Sequence, residues 1–284
     1  MPLNETTPVY KNVYFNKRIG KKNAKLPISQ LPYHFTEYAL LSAKVYIDDD
    51  NNTTIPAPAG WEKWMQQDVL EIPAPPSEKH KFIGGMGYQV WQKKVDGKYT
   101  VAIVFRGTDF PERNDWHTNL RWAPLNFFGR KGYEKRYWDQ YHQVRKLVPM
   151  LVEIIKNRHG GNLKEIVSTG HSLGGGLAQQ ASYCCADIKN VIVFDSSPVT
   201  GYKDIVPKNV RKKNQENTYI ERVHQKGEVL SYVRSVALFF FPLTAKNPEI
   251  IVYELNFLKG HLVAKHSIEG LAIKLLEADK EISG

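Results

Sequence analysis

The segment 166–178, IVSTGHSLGGGLA, restricts the possible folds more than any other part of the chain. A short apolar and β-branched run leads into Gly170-His171-Ser172-Leu173-Gly174, and the small residues Gly175, Gly176 and Ala178 follow. This order predicts a buried strand, a sharp turn and a helix packed closely against the strand. Glycines on both sides of Ser172 remove side chains that would collide in such a turn. Ser172 is then expected to be strained and exposed at the carboxyl edge of a sheet. The helix behind it would aim its dipole and free N–H groups at negative charge developing beside the hydroxyl. A bare G-x-S-x-G arises by chance, so the strand before it and the helix after it carry the inference.

The rest of the chain alternates strand and helix patterns. Residues 34–46 have apolar positions at helical spacing, and 47–60 read as a loop. Residues 82–95 and 99–105 predict two strands joined at Asp96-Gly97, the second apolar enough to be covered on both faces. A long amphipathic stretch over 132–157 predicts a helix that Pro149 should kink or split. Further strands are expected over 165–169, 191–194, 218–224 and 250–255, and helices over 173–185 and 267–278. Such alternation predicts an α/β fold with a mostly parallel sheet covered on both sides.

Composition narrows the class. With 42% hydrophobic and 24% charged residues the 284-residue chain suits a globular domain, neither disordered nor membrane-spanning. The apolar run 236–243 is too short to cross a bilayer as a helix. The start, MPLNETTPVYKN, lacks a basic stretch followed by an apolar one. No Sec-type leader is therefore expected, which leaves the cytoplasm or export by a leader-independent route. Cys184 and Cys185 are adjacent, a geometry that disfavours a disulfide, and read as small buried helix residues. The net charge of +10 favours anionic surfaces. Lys17, Arg18, Lys21, Lys22 and Lys25 read as a solvated basic arm over 1–30, ahead of a single domain over 31–284. No nucleic-acid-binding motif accompanies the charge, so nucleic acid is not an expected partner.

A serine hydroxyl needs a neighbouring base to act as a nucleophile at neutral pH. With a nucleophile–acid–base order along the chain, His224, His261 and His266 are the candidate bases. His224 falls on a strand, His261 in a loop, and His266 just before the last helix, where a base is best presented. Asp195, ending one strand, and Glu228, in a turn after the next, are the candidate acids. Phe105 runs into Arg106-Gly107-Thr108, where Gly107 would let the Thr108 N–H point inward. The Leu173 N–H would be the second donor to an oxyanion. The histidines are scattered and the cysteines lack ligand spacing, so neither a metal nor an organic cofactor is expected.

The pairing of VAIVFRGTD with IVSTGHSLGGGLA resembles the class 3 lipases, typified by the fungal triacylglycerol lipases of the α/β-hydrolase superfamily. YALLSAKVY, NDWHTNL and GYEKRYWDQY extend the resemblance over residues 35–275. It implies a central, mostly parallel sheet flanked by helices, with Ser172, His266 and Glu228 as nucleophile, base and acid. Glu228 stands where the family usually has aspartate, and Asp195 falls at a structural turn but remains the alternative. The resemblance implies an oxyanion hole of Thr108 and Leu173. It also implies a short lid over 111–120, anchored by Trp116, with Trp122 following. The implied activity is hydrolysis of lipid acyl esters through an acyl-enzyme, with an anionic membrane surface as the candidate partner. Small soluble esters, or a catalytically silent binding scaffold, are the alternatives. Basic lipases of this kind that lack a leader act as antibacterial effectors on neighbouring cells' membranes, a role the resemblance extends to this chain.

Overall fold

The structure is a computed structural model that describes residues 13–47, 54–83, 85–107, 137–199, 201–231, 234 and 248–283. The elements run β1 (Tyr14–Ile19), β2 (Lys22–Pro27), α1 (His34–Lys44), β3 (Trp61–Lys63), β4 (Lys81–Ile83), β5 (Tyr88–Val95), β6 (Lys98–Phe105) and β7 (Tyr137–Asp139). There follow α2 (Gln140–His159), β8 (Leu163–His171), α3 (Leu173–Cys184), β9 (Ile188–Phe194), α4 (Lys208–Asn214), β10 (Tyr219–Gln225), β11 (Glu249–Leu255) and α5 (Ile268–Ser283).

Among the described residues, nine strands form one sheet in the order β2-β1-β11-β10-β9-β8-β6-β5-β3. The centre, β6 to β11 in this order, is parallel, and both flanks are antiparallel. The central strands bury both faces, so alternate side chains enter two separate cores. Val167, Ile192 and Val223 pack with Phe35 and Leu41 of α1 and with Leu271 and Leu275 of α5. Ile166, Val191 and Val193 pack with Val144, Leu147 and Leu151 of α2 and with Leu177 and Ala181 of α3. Helices on both faces of a parallel centre, with a serine turn at the end of a central strand, make this an α/β-hydrolase fold.

Several local expectations differ from the structure. Residues 14–27 form a hairpin, β1 and β2, that extends the sheet along β11; the basic run lies on this hairpin and not on a solvated arm. The long strand expected over 82–95 is two strands in different sheets, β4 beside β7 and β5 beside β6. Gly85 and Gly87 interrupt it, and between them the Met86 N–H donates to the Gln143 side chain at 2.8 Å instead of to a strand. The helix expected from residue 132 begins at 140, because the Asp139 carboxylate accepts the His142 N–H at 3.0 Å and caps it there. Pro149 does not split this helix. It lies on the solvent side, where water can satisfy the carbonyl its missing N–H leaves behind. Cys184 and Cys185 are both free thiols, and burial pushes the Cys184 thiol up to about 12. Among the described residues no helix is long and apolar enough to cross a membrane.

Candidate active site

Ser172 is the residue between β8 and α3, with φ 57° and ψ −124°. An L-residue is strained there, and such strain persists only where the surroundings over-determine it. The Ser172 N–H donates to the Phe194 carbonyl at 3.0 Å. The Ser172 carbonyl accepts from the Ser197 N–H at 2.9 Å and from the Gly176 N–H at 3.3 Å. The end of β9 thus holds the turn from one side. It also encloses it: Ser172 is only 6% exposed, where the sequence predicts an exposed residue.

The flanking glycines are required by close approach. A Cβ on Gly170 would lie 2.6–2.7 Å from Gly174 backbone and the Phe105 carbonyl oxygen. One on Gly174 would lie 2.2 Å from that same oxygen and 2.9 Å from the Gly107 nitrogen. The start of α3 therefore touches the end of β6, and the turn after β6 is brought against the serine turn. Leu173 opens α3, so its N–H belongs to the helix's first turn, which has no intrahelical acceptor.

The other polar groups come from the ends of β9 and β10 and from the segment before α5. His266 ends a 3-10 turn, Ala264–His266, and is 5% exposed. Its Nδ1 donates to Glu228 Oε2 at 2.5 Å. Glu228 also accepts the Leu230 N–H at 2.8 Å and the Ser231 hydroxyl at 3.1 Å, and it pairs with Arg234. Burial pushes the Glu228 carboxyl up. The hydrogen bond from His266 and the Arg234 charge outweigh it and hold the group below its ordinary value. Burial pushes His266 below the ordinary histidine value despite the pull of Glu228, so the imidazole is neutral at pH 7 and able to take a proton.

Asp195 directly follows β9 and is fully buried beside this pair, with φ 41°. Its Oδ1 accepts the Gln225 N–H at 2.7 Å and stands 3.9 Å from Arg234 Nη2. The His171 ring, next in the chain to Ser172, lies 4.5 Å from the His266 ring between centroids. The structure therefore gathers His266, Glu228 and Asp195 beside the serine turn. The other candidate bases lie elsewhere. His261 is exposed and its Nδ1 accepts the Ala264 N–H at 3.1 Å, a local loop contact. His224 sits on β10, where burial and then the charges of Arg234, Arg222 and Arg18 depress it. Thr108, Trp116, Trp122 and the expected lid over 111–120 lie outside the described residues.

Two contributors escape the motif reading. Arg234 clamps Glu228 and approaches Asp195, yet nothing in its local sequence marks it out. Tyr46, at the end of a segment singled out for its resemblance, places its hydroxyl 3.0 Å from the Gly107 nitrogen and 3.3 Å from His171 Nδ1. It thereby links the turn after β6 to the serine turn.

His171, Asp195 and His266 can each offer one ligand atom, all within 4.8 Å of one another. Two features oppose a cation there. Arg234 already places a positive charge beside Asp195, and burial, then Glu228, pushes the Asp195 carboxyl well above its ordinary value. A protonated carboxyl is a poor metal ligand.

A search of curated protein sequences gives no match. Among solved structures, the Lip2 lipase from Yarrowia lipolytica is similar with a TM-score of 0.41 and 13% identity, over 85% of this chain and 90% of that one. A family model described as phospholipase-like, the Tle-like phospholipase domain, matches residues 37–249, a span that holds Ser172, Asp195 and Glu228 and stops short of His266. The chain belongs to the Tle-like phospholipase domain family.

Proposed function

We propose that this protein is a serine hydrolase of lipid acyl esters, acting on phospholipids. The observation that carries the reading is the buried His266–Glu228 hydrogen bond beside a strained serine turn. In this mechanism the Ser172 hydroxyl attacks the ester carbonyl while His266, through Nε2, takes its proton. The tetrahedral oxyanion is met by the N–H groups of Leu173 and Thr108. Collapse breaks the bond to the leaving alcohol, which receives the proton from His266, and leaves an acyl-Ser172 ester. Water then attacks that ester with His266 again as base, releasing the fatty acid and restoring the hydroxyl. Glu228 fixes the imidazole's tautomer and stabilises the imidazolium formed in each half-reaction. These steps need no metal or organic cofactor.

The basic hairpin supports an anionic membrane surface as the place of action, since Lys21, Lys22 and Lys25 are exposed on it. The test compares wild type with Ser172→Ala on a short nitrophenyl ester and on phosphatidylglycerol and phosphatidylcholine vesicles. Fatty acid released from vesicles by wild type alone, faster from phosphatidylglycerol, is the expected result. Cleavage of the soluble ester only would reduce the protein to an esterase, and no cleavage of either would leave a binding scaffold.

A further inference from the structure

Two carboxyls, not one, converge on the imidazole. Glu228 follows β10 and Asp195 follows the adjacent parallel strand β9, so both stand at the same edge of the sheet, one strand apart. Both face one guanidinium: Arg234 Nη2 pairs with Glu228 Oε1 and lies 3.9 Å from Asp195 Oδ1. A ring nitrogen of His266, one of His171 and one oxygen of Asp195 lie within 4.8 Å of one another. Each carboxyl is essentially inaccessible to solvent.

A dry pocket with one fixed cation tolerates one negative charge better than two. The hydrogen bonds decide which carboxyl carries it. Glu228 accepts from His266, Leu230, Ser231 and Arg234. Asp195 accepts one backbone N–H at Oδ1, and its Oδ2 has no hydrogen-bond partner among the described residues. The charge therefore rests on Glu228, and Asp195 keeps its proton. Burial and the neighbouring Glu228 charge both push the Asp195 carboxyl up, in agreement with this assignment.

If Glu228 is neutralised, the half-buried Arg234 is left without its counter-charge. Asp195 is the carboxyl already in place to supply one, and losing its proton restores the balance without any new group entering the pocket. We infer that Asp195 is a reserve acid: a positioning residue able to take over from Glu228 the single negative charge that supports His266. The inference rests on the assignment of Ser172 and His266 as nucleophile and base.

The test is a double-mutant cycle in the full chain with Glu228→Ala, Asp195→Asn and both together, read as kcat on a short nitrophenyl ester. Labelling by a fluorophosphonate serine probe and thermal unfolding are measured alongside. Asp195→Asn is nearly isosteric and keeps an acceptor for the Gln225 N–H, so a purely structural role predicts the same factor in both backgrounds. The reserve-acid role predicts that Asp195→Asn costs at least about tenfold more in the Glu228→Ala background than alone. The double variant should approach the roughly 10⁴-fold loss of a triad deprived of its acid. In Glu228→Ala the remaining activity should also acquire an acid limb that Asp195→Asn removes. The groups facing Asp195 there are Arg234, His171 and His266. Glu228→Gln, whose carbonyl oxygen can still accept the Leu230 N–H while its amide N–H donates to the Ser231 hydroxyl, repeats the cycle if Glu228→Ala fails to fold. Equal factors in both backgrounds, or a Glu228→Ala variant already as slow as the double, overturn the inference. The triad reading fails differently: Ser172→Ala or His266→Ala would then keep wild-type activity and probe labelling.

Discussion

Removing one oxygen atom from Tyr46 tests whether the turn after β6 is held in place by a side chain 61 residues away. In Tyr46→Phe the ring stays and the hydroxyl, 3.0 Å from the Gly107 nitrogen and 3.3 Å from His171 Nδ1, is lost. The Gly107 N–H is left in a buried position without that acceptor, at a cost of about 1–3 kcal/mol. At roughly 2–4 °C per kcal/mol for a chain of this order of size, the melting temperature should fall by about 2–12 °C. The effect on activity is separable. Gly107 precedes Thr108, so a turn that relaxes to find another acceptor would carry the proposed oxyanion donor out of place. Losing one such donor lowers kcat by about 10²–10³-fold. The assay is kcat and KM on a soluble nitrophenyl ester, with thermal unfolding in parallel. Tyr202→Phe is the control, because its hydroxyl donates to Gln215 at 3.0 Å, away from the site. It should lose stability of the same order and no activity. A Tyr46→Phe variant that is destabilised but keeps kcat within about twofold of wild type would refute the coupling, since a lost donor costs at least about a hundredfold.

Three further outcomes follow from the same geometry. Ser172→Gly and Ser172→Ala should both abolish ester hydrolysis, but the glycine variant should be more stable by about 1–3 kcal/mol, because glycine adopts φ 57°, ψ −124° without strain; equal denaturation midpoints would contradict this. Gly174→Ala places a Cβ 2.2 Å from the Phe105 carbonyl oxygen, so α3 must move off β6, with a stability loss of about 1–3 kcal/mol or more and a matching loss of activity; wild-type unfolding would show that the contact is looser. Burial holds His171, His224 and His266 below the ordinary histidine value. The native state then binds fewer protons than the unfolded chain once the pH drops below about 6.5, so stability is fully present above that pH and is lost as pH falls further. A denaturant midpoint unchanged between pH 7 and pH 5 would sink that reading.

What could be read from the sequence was what the chain does over a dozen residues. The serine turn is legible because strand, glycines, serine and helix are contiguous, and each is needed by contacts among those same residues and the end of β6. Chain order proposes His266 and Glu228 as base and acid, though nothing local separates Glu228 from Asp195: both stand near the same imidazole because β9 and β10 are neighbours. Arg234 and Tyr46 were not reachable, since their roles exist only once distant elements meet. The hairpin β1–β2 failed for a different reason. Strand patterns are recognised by alternation against a core, and β2, Lys22–Pro27, is exposed or half-buried at every position. Among the described residues it is the last strand of the sheet, with no strand paired to its outer edge. Lysines at 22 and 25 and a proline at 27 are residues that make such an edge a poor template for further pairing. The charge that disguises this segment as a solvated arm is the charge an edge strand needs in order to remain an edge.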